Sequence, residues 1–199
     1  METNVYLMDY TDQLILTGAV NDVGSAIRVN TPDSYRAGIE MVVGMDLTDQ
    51  WNWGLNLALS QNKIKKFNEV VFDYAFTDDR YTVENKFTKT DIAFSPNVVM
   101  GNDITFSHQG FSAQWLSKFV GDQFLDNTSN EDHMIQSHFI NDLRLAYQLQ
   151  GFGMQKIELT LLINNLLNVT YESNGYTWGY LYDGSLYQQN NYYPQAGIN

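Results

Sequence analysis

WNWGLNLALS, residues 51–60, alternates without a break. Trp51, Trp53, Leu55, Leu57 and Leu59 hold the odd positions, and Asn52, Gly54, Asn56, Ala58 and Ser60 the even ones. Successive side chains of a strand point to opposite faces, whereas a helix repeats only about every 3.6 residues. The stretch is therefore a strand with one apolar and one polar face. A soluble sandwich would turn the apolar face onto a core; a membrane barrel would turn it outward to lipid.

The same period runs outward in both directions. In YRAGIEMVVGMDL (35–47), Tyr35, Ala37, Ile39, Met41, Val43, Met45 and Leu47 share one face. In NVVMGNDITF (97–106), Val98, Met100, Ile104 and Phe106 do so, with Asn102 interrupting. FSAQWLSKFV (111–120) contributes Phe111, Ala113, Trp115 and Phe119, and FINDLRLAYQL (139–149) contributes Phe139, Leu143, Leu145, Tyr147 and Leu149. KIELTLLINNLLN (156–168) adds Ile157, Leu159, Leu161 and Ile163, and residues 3–16 alternate more weakly. The opposite faces carry Arg36, Glu40, Asp142, Arg144 and Glu158. The pattern predicts an all-β chain, an antiparallel meander of about seven strands with the start of an eighth.

Connection lengths choose between the two insides. Short links (DLTDQW, SHQG, QLQGFGMQ) alternate with long polar ones: GAVNDVGSA, the stretch 68–95, DNTSNEDHM, and SNGYTWGYLYDGSLYQQNN. Tight turns at one end and long loops at the other are expected of an outer-membrane barrel, with Trp51 and Trp53 in the periplasmic girdle. Composition narrows the function. The net charge of −12 argues against a nucleic-acid surface, and the absence of cysteine removes disulfides and thiolate chemistry.

NNLLNVTYESNGYTW (164–178) is similar to the penultimate-strand signature of TonB-dependent outer-membrane receptors, roughly Asn-Leu-(Phe or Leu)-Asn-x-x-Tyr. Asn165, Leu166, Leu167, Asn168 and Tyr171 fit it, with Leu167 where Phe is commoner. PDSYRAGIE, KTDIAFSPN, KFVGDQFLDNTSN and FINDLRLAY look like barrel segments of such receptors from the Bacteroidetes, and YYPQAGIN like the start of the final strand. The resemblance implies that residues 1–199 are a C-terminal fragment of a large barrel of about 22 strands, without its plug domain. It implies an active importer in the cell outer membrane, taking up a ferric siderophore, haem, cobalamin or an oligosaccharide with TonB-supplied energy. Partners would be outer-membrane lipid, the receptor's own N-terminal plug, the TonB complex and a small-molecule or glycan ligand. Neither nucleic acid, a cofactor nor an enzymatic activity is expected. Two rival readings stay open: a soluble all-β carbohydrate-binding module, such as a lectin-like sandwich, and a plugless porin-like barrel.

The candidate site residues follow from these faces and loops. Arg36, Glu40, Asp142, Arg144 and Glu158 are expected to line the lumen against the plug. Tyr176, Trp178, Tyr180, Tyr182, Asp183 and Tyr187 lie in an aromatic stretch expected to be an extracellular loop. Flat rings beside amides and carboxylates suit stacking on sugars or on aromatic ligands. His133, with Glu131 and Asp132, is a weak ligand candidate at unconvincing metal spacing, so no metal site is assigned. Asp73, Asp78, Asp79 and Arg80 lack an accompanying nucleophile or spaced ligand set and read as loop polarity. Asn127-Thr128-Ser129 matches a glycosylation triplet, read as coincidence.

Overall fold

The computed structural model describes residues 1–21, 23–76, 81–151 and 153–199, and every regular element among them is a strand. In chain order these are β1 (Glu2–Val20), β2 (Ala26–Asp46), β3 (Trp51–Phe72), β4 (Thr82–Asp91), β5 (Val98–His108) and β6 (Phe111–Val120). They continue with β7 (Gln123–Phe124), β8 (Met134–Ile135), β9 (His138–Gly151), β10 (Met154–Ile163), β11 (Glu172–Tyr182) and β12 (Ser185–Pro194). One antiparallel sheet runs β1-β2-β3-β5-β6-β9-β10, and β4 pairs with the far half of β3, beyond the end of β5. The hairpins β7–β8 and β11–β12 stand apart from it. The barrel is not closed within this chain.

Register carries the period-two pattern across the whole sheet. Trp53 lies opposite Met45 and Ile104, Ile104 opposite Trp115, and Trp115 opposite Leu143. Leu57 lies opposite Met41 and Met100, and the row continues through Phe119 to Phe139. The result is one continuous apolar band, because a single slipped residue would flip a strand's entire set to the other face. Among the described residues no second layer covers it: Leu7, Leu159 and Leu161 stay 75%, 60% and 54% exposed. A soluble sandwich would bury such residues. On the other face, Gly54 and Gly101 leave room for side chains reaching from the next strand, where a Cβ would run into Asp103 and Asn56.

Asn102, which interrupts the alternation in the sequence, shares a row with Ser117 and Asn141 inside the apolar band. Two neighbouring indoles donate to the acceptor oxygens of that row. Trp53 Nε1 donates to Asn102 Oδ1 (2.7 Å), and Trp115 Nε1 donates to Asn141 Oδ1 (3.0 Å), which Ser117 Oγ also reaches (2.7 Å). Bare amides facing hydrocarbon would be costly. Trp53 is thus tied into the band as a hydrogen-bond donor, a role the sequence pattern does not reveal.

The short links fall at one end of the sheet, at Leu47–Gln50, Gln109–Gly110 and near Gly153, as the connection lengths anticipate. Three connections differ from expectation. The segment 18–26 is shorter as a connection than expected, because Gly18–Val20 belong to β1 and Ala26 to β2. Much of 68–95 is the end of β3 together with β4, because Lys63↔Asp91 through Phe72↔Thr82 form a ladder. The aromatic stretch 173–191 is a regular hairpin, β11–β12, and not an irregular loop.

The family-like motif after β10 is a turn stabilised by its own amides. Asn165 and Asn168 both adopt positive φ (49° and 53°), which Asn tolerates better than most residues. Asn165 is buried; its Nδ2 donates to Val169 O (2.8 Å) and Ala196 O (3.2 Å), while its Oδ1 accepts from Val169 N (2.9 Å). Asn168 Oδ1 accepts from Ile198 N (3.1 Å), and Asn164 and Asn199 exchange backbone bonds in the manner of one antiparallel rung. Residues 195–199 form no strand of their own, and Tyr192–Pro194, expected to start a final strand, belong to β12 instead. We expect Asn165→Ala to destabilise the barrel by about 2–3 kcal/mol, from the lost amide bonds and a left-handed backbone without Asn. Asn165→Gly, which keeps the backbone freedom, should lose less, and urea titration of the receptor in phospholipid vesicles measures both.

Candidate functional site

The side chains with chemical potential collect at the end of the sheet opposite the tight turns. Hairpin β11–β12 turns on Asp183-Gly184, both at positive φ (48° and 71°), the two-residue arrangement whose twist matches that of its strands. Its register pairs Tyr176 with Asn191, Trp178 with Gln189, Tyr180 with Tyr187 and Tyr182 with Ser185. Those residues share one face. Thr177, Gly179 and Leu181 share the other with Gln188 and Asn190.

On the first face the rings form an ordered array. Trp178 and Tyr180 stack with centroids 5.8 Å apart at 15°, and Tyr180 and Tyr187 stack at 5.2 Å and 13°. Tyr74, at the end of β3, stands edge-on to Tyr180 (5.4 Å, 74°), held there by its own N–H donating to Leu181 O (2.9 Å). Of the residues expected in a ligand loop, Trp178, Tyr180 and Tyr187 come together. Tyr176 pairs instead with Tyr193 (6.1 Å), Tyr182 stands exposed beside the turn, and Asp183 occupies the turn itself.

The second face rests on the excursion 121–137, which holds β7 and β8. Leu125 and Asn127 there are fully buried, and a Cβ at Gly175 or at Gly18 would collide with Leu125. Asn127 Nδ2 donates to Leu16 O (2.6 Å) and its Oδ1 accepts from Ala93 N (2.9 Å), so the matched glycosylation triplet is structural. Asn190 Nδ2 reaches Asp132 O (2.7 Å). The excursion thus joins β1, at one edge of the sheet, to β11, which follows the strand at the other edge, and β11 itself packs on β1. It is a wedge spanning one face of the sheet at its loop end.

Within the wedge, His133 Nδ1 sits 2.6 Å from Asp126 Oδ2, with both residues buried. The hydrogen bond to Asp126 raises the His133 pKa above its usual value, against an opposing push from burial, with smaller support from Gln188 and Glu69. His133 is therefore committed to a structural pair, and among the described residues no three acidic or histidine side chains gather as metal ligands. His138 stacks on Tyr171 of the motif (4.4 Å), and His108 meets Gln50 at the opposite end (3.0 Å). Asp73 accepts from Ala75 N (3.0 Å) and caps the end of β3; Asp78, Asp79 and Arg80 lie outside the described residues.

The charged residues of the polar face are tied to neighbours rather than to one another as a single group. Arg36 Nη1 donates to Asn62 Oδ1 (2.9 Å) and Ser95 Oγ (3.2 Å), and Glu40 accepts from Asn4 Nδ2 (3.2 Å). Asp142 Oδ1 accepts from Asn165 N (2.7 Å), while Glu158 bridges Arg144 (3.6 Å) and Lys156 (3.2 Å). Sequence reasoning missed Tyr74 as a member of the aromatic array and missed the two-faced hairpin. The Asp-Gly dipeptide flanked by alternating aromatics is a hairpin signal that would have found the latter.

The family model for the TonB-dependent receptor-like β-barrel matches residues 1–166. No curated protein matches the chain. Among solved structures, the siderophore receptor PiuA from Acinetobacter baumannii superimposes with a TM-score of 0.66 at 13% identity, over 98% of this chain and 24% of that one. The copper transporter OprC gives 0.63 at 17%, over 98% and 27%. The ferric-catecholate import receptor Fiu from E. coli K12 gives 0.61 at 13%, over 98% and 23%. The chain spans about a quarter of the length of these structures, and at such identities the likeness is one of fold.

The His133–Asp126 pair makes the wedge pH-sensitive in one direction. A raised histidine pKa contributes stability that is complete below about 6.5, the unfolded value, and is lost as pH rises through the folded value. Amide protection at Leu125, whose N–H donates to His133 O (2.8 Å), and at His133, whose N–H donates to Asn130 O (2.9 Å), should fall through that window, and Asp126→Asn should abolish the dependence.

Proposed function

The chain belongs to the TonB-dependent receptor β-barrel family, and on that premise we propose that it forms part of an outer-membrane importer for a scarce nutrient, driven by TonB. The observation that carries this reading is the apolar band in register across seven strands, left uncovered by any second layer. Only lipid can cover a face of that width. The solved structures with this fold include siderophore and ferric-catecholate receptors and a copper transporter, a range that supports import without fixing the cargo.

The opposite face, with Arg36, Glu40, Asp142, Arg144 and Glu158, would line the lumen and meet a plug domain contributed by the rest of the receptor. Polar side chains already bonded to their neighbours form a rigid wall there, one that can exchange contacts with a plug without collapsing. The far halves of β1, β2 and β3 would stand clear of the membrane, since these strands have 19, 21 and 22 residues and a tilted crossing needs only about 9–11. They carry the wedge and the aromatic hairpin, which together would form part of an external vestibule. Ligand would meet Trp178, Tyr180 and Tyr187 there, flanked by Tyr176, Tyr182 and Asp183. The reading is of a transporter and not an enzyme.

Two measurements test it. Leu161→Arg, in the middle of the apolar band, should destabilise the receptor in vesicles by about 2–4 kcal/mol, whereas Thr160→Arg on the opposite face should cost little. Equal costs would mean that the band does not face lipid. In cells, uptake through the full receptor should stop when TonB is deleted; uptake that persists would make the protein a passive pore.

A further inference from the structure

We propose that the outward face of the β3–β4 ladder, directly above the apolar band, binds the phosphorylated sugar headgroup of a glycolipid in the surrounding outer leaflet. This surface rests on the reading above only for the membrane orientation of the band, and adds a lipid partner to it.

Alternation along β3 fixes which side these residues take. Trp53, Leu55, Leu57 and Leu59 belong to the apolar band, and the same side continues through Gln61 to Lys63, which lies opposite Tyr35 on β2 and Asp91 on β4. Tyr35 is half-buried in that row, and an amphipathic ring there suits the border between hydrocarbon and headgroups. Ile64 points the other way, into the small core that also holds Phe67, with Phe87 packed against it. Ile64 and Phe67 are three residues apart on one side, so the alternation shifts by one residue at Lys65 and Lys66. Beyond the shift, Lys66 and Lys86 neighbour the core residues Phe67 and Phe87 in the chain and therefore turn outward.

This face is basic in an acidic chain. Lys63, Lys65, Lys66, Lys86 and Lys89 are five of the eleven Lys and Arg residues, in a chain of net charge −12. Two of them are neutralised, Lys63 by Asp91 (2.7 Å) and Lys65 by Asp9 of β1 (3.2 Å). Among the described residues, Lys66, Lys86 and Lys89 have no ion-pair partner, and all three are exposed. Lys65 and Lys89 meet across the ladder between the rungs Ile64↔Thr90 and Lys66↔Thr88, with Lys89 at positive φ (56°). Like charges opposed in this way destabilise a ladder, and an anion shared between them removes the penalty.

Height selects the anion. From Lys63 to the rung Asn68↔Lys86 the strand rises roughly 16 Å along its own axis. A glycerophospholipid carries its phosphate at one depth, beside the hydrocarbon, and so meets only the lowest lysines. Phosphates on a sugar headgroup stand farther out, level with Lys66, Lys86 and Lys89, while the acyl chains of the same molecule lie against Leu59 and Ile39, which are 44% and 46% exposed. One lipid then spans the band and the patch together. Its phosphate oxygens accept charge-assisted hydrogen bonds from ammonium groups that the protein leaves unpaired.

The test uses the full-length receptor in detergent micelles, with bound lipid read by native mass spectrometry. The probes are bisphosphorylated lipid A, the same lipid with its phosphates removed, phosphatidylglycerol, and decaglutamate as a soluble polyanion. We expect bisphosphorylated lipid A to bind best, with an affinity that falls as ionic strength is raised. The triple variant Lys66→Gln, Lys86→Gln, Lys89→Gln should weaken it about a hundredfold, at about a factor of five for each lysine. Lys156→Gln, near the tight turns at the opposite end, should leave it unchanged. Equal binding of lipid A with and without its phosphates overturns the proposal. So does binding that survives the triple substitution in a variant that keeps the heat-modifiable migration of a folded barrel. Phosphatidylglycerol bound as tightly as lipid A overturns the choice of headgroup, and decaglutamate bound by the parent and lost in the triple variant assigns the face to an acidic protein partner instead. Lipid binding in micelles needs neither TonB nor cargo, and the Leu161→Arg comparison reads the band separately, so failure here is distinguishable from failure of the importer reading.

Discussion

The structure depends on one constraint: strands that cross hydrocarbon must satisfy every backbone group through their neighbours, and the neighbours must agree on which face is apolar. Seven strands meet both demands together. From Thr3 opposite Met41 to Leu145 opposite Leu161, each pairing keeps like faces together, so the ladder that satisfies the backbone also builds the lipid-facing band. Where the band contains polar atoms, at Asn102, Ser117 and Asn141, the indoles of Trp53 and Trp115 supply the missing donors. Few other side chains could do this, because an indole brings a hydrogen-bond donor together with a large apolar surface.

Beyond the band the physical problem reverses. The long ends of β1–β3 have left the region where lipid can cover them, and apolar residues there must find protein partners. They do so in a small core of Ile15, Ile64, Phe67 and Ile92, and in the wedge, where Leu125 and Ile135 are almost wholly buried. The deepest burial of the chain thus lies largely at its loop end and not in its barrel wall. The wedge presents a firm seat to β11–β12, and glycines at 18 and 175 permit the close approach. A hairpin seated on one face is free to expose the other, which is how an ordered ring array survives at an otherwise acidic mouth.

Much of this was legible in advance, and the misses have a common cause. The strand pattern around residues 51–60 and its repeats placed seven of the eight strands of the main sheet, because half-exposed strands print their environment directly into the sequence. The end of β3, β4 and the aromatic hairpin were read as loops. In those segments both faces are polar or aromatic, so alternation carries no contrast between inside and outside. The motif at 165–168 was legible as a family resemblance but not as a mechanism: nothing in its spelling says that Asn165 would be buried and bonded to Val169 and Ala196.

The sequence by itself determined the fold class, the strand parity and the end at which long connections gather, because these depend on local period and on which residues can border lipid. Only the tertiary structure decided that His133 pairs with Asp126, that Tyr74 joins Tyr180, and that Trp178, Tyr180 and Tyr187 share one outward face while Gln188 and Asn190 turn to the wedge. Each of these depends on segments far apart in the chain meeting at the loop end. Such meetings are set by register and by the seating of the wedge, and period two does not encode them.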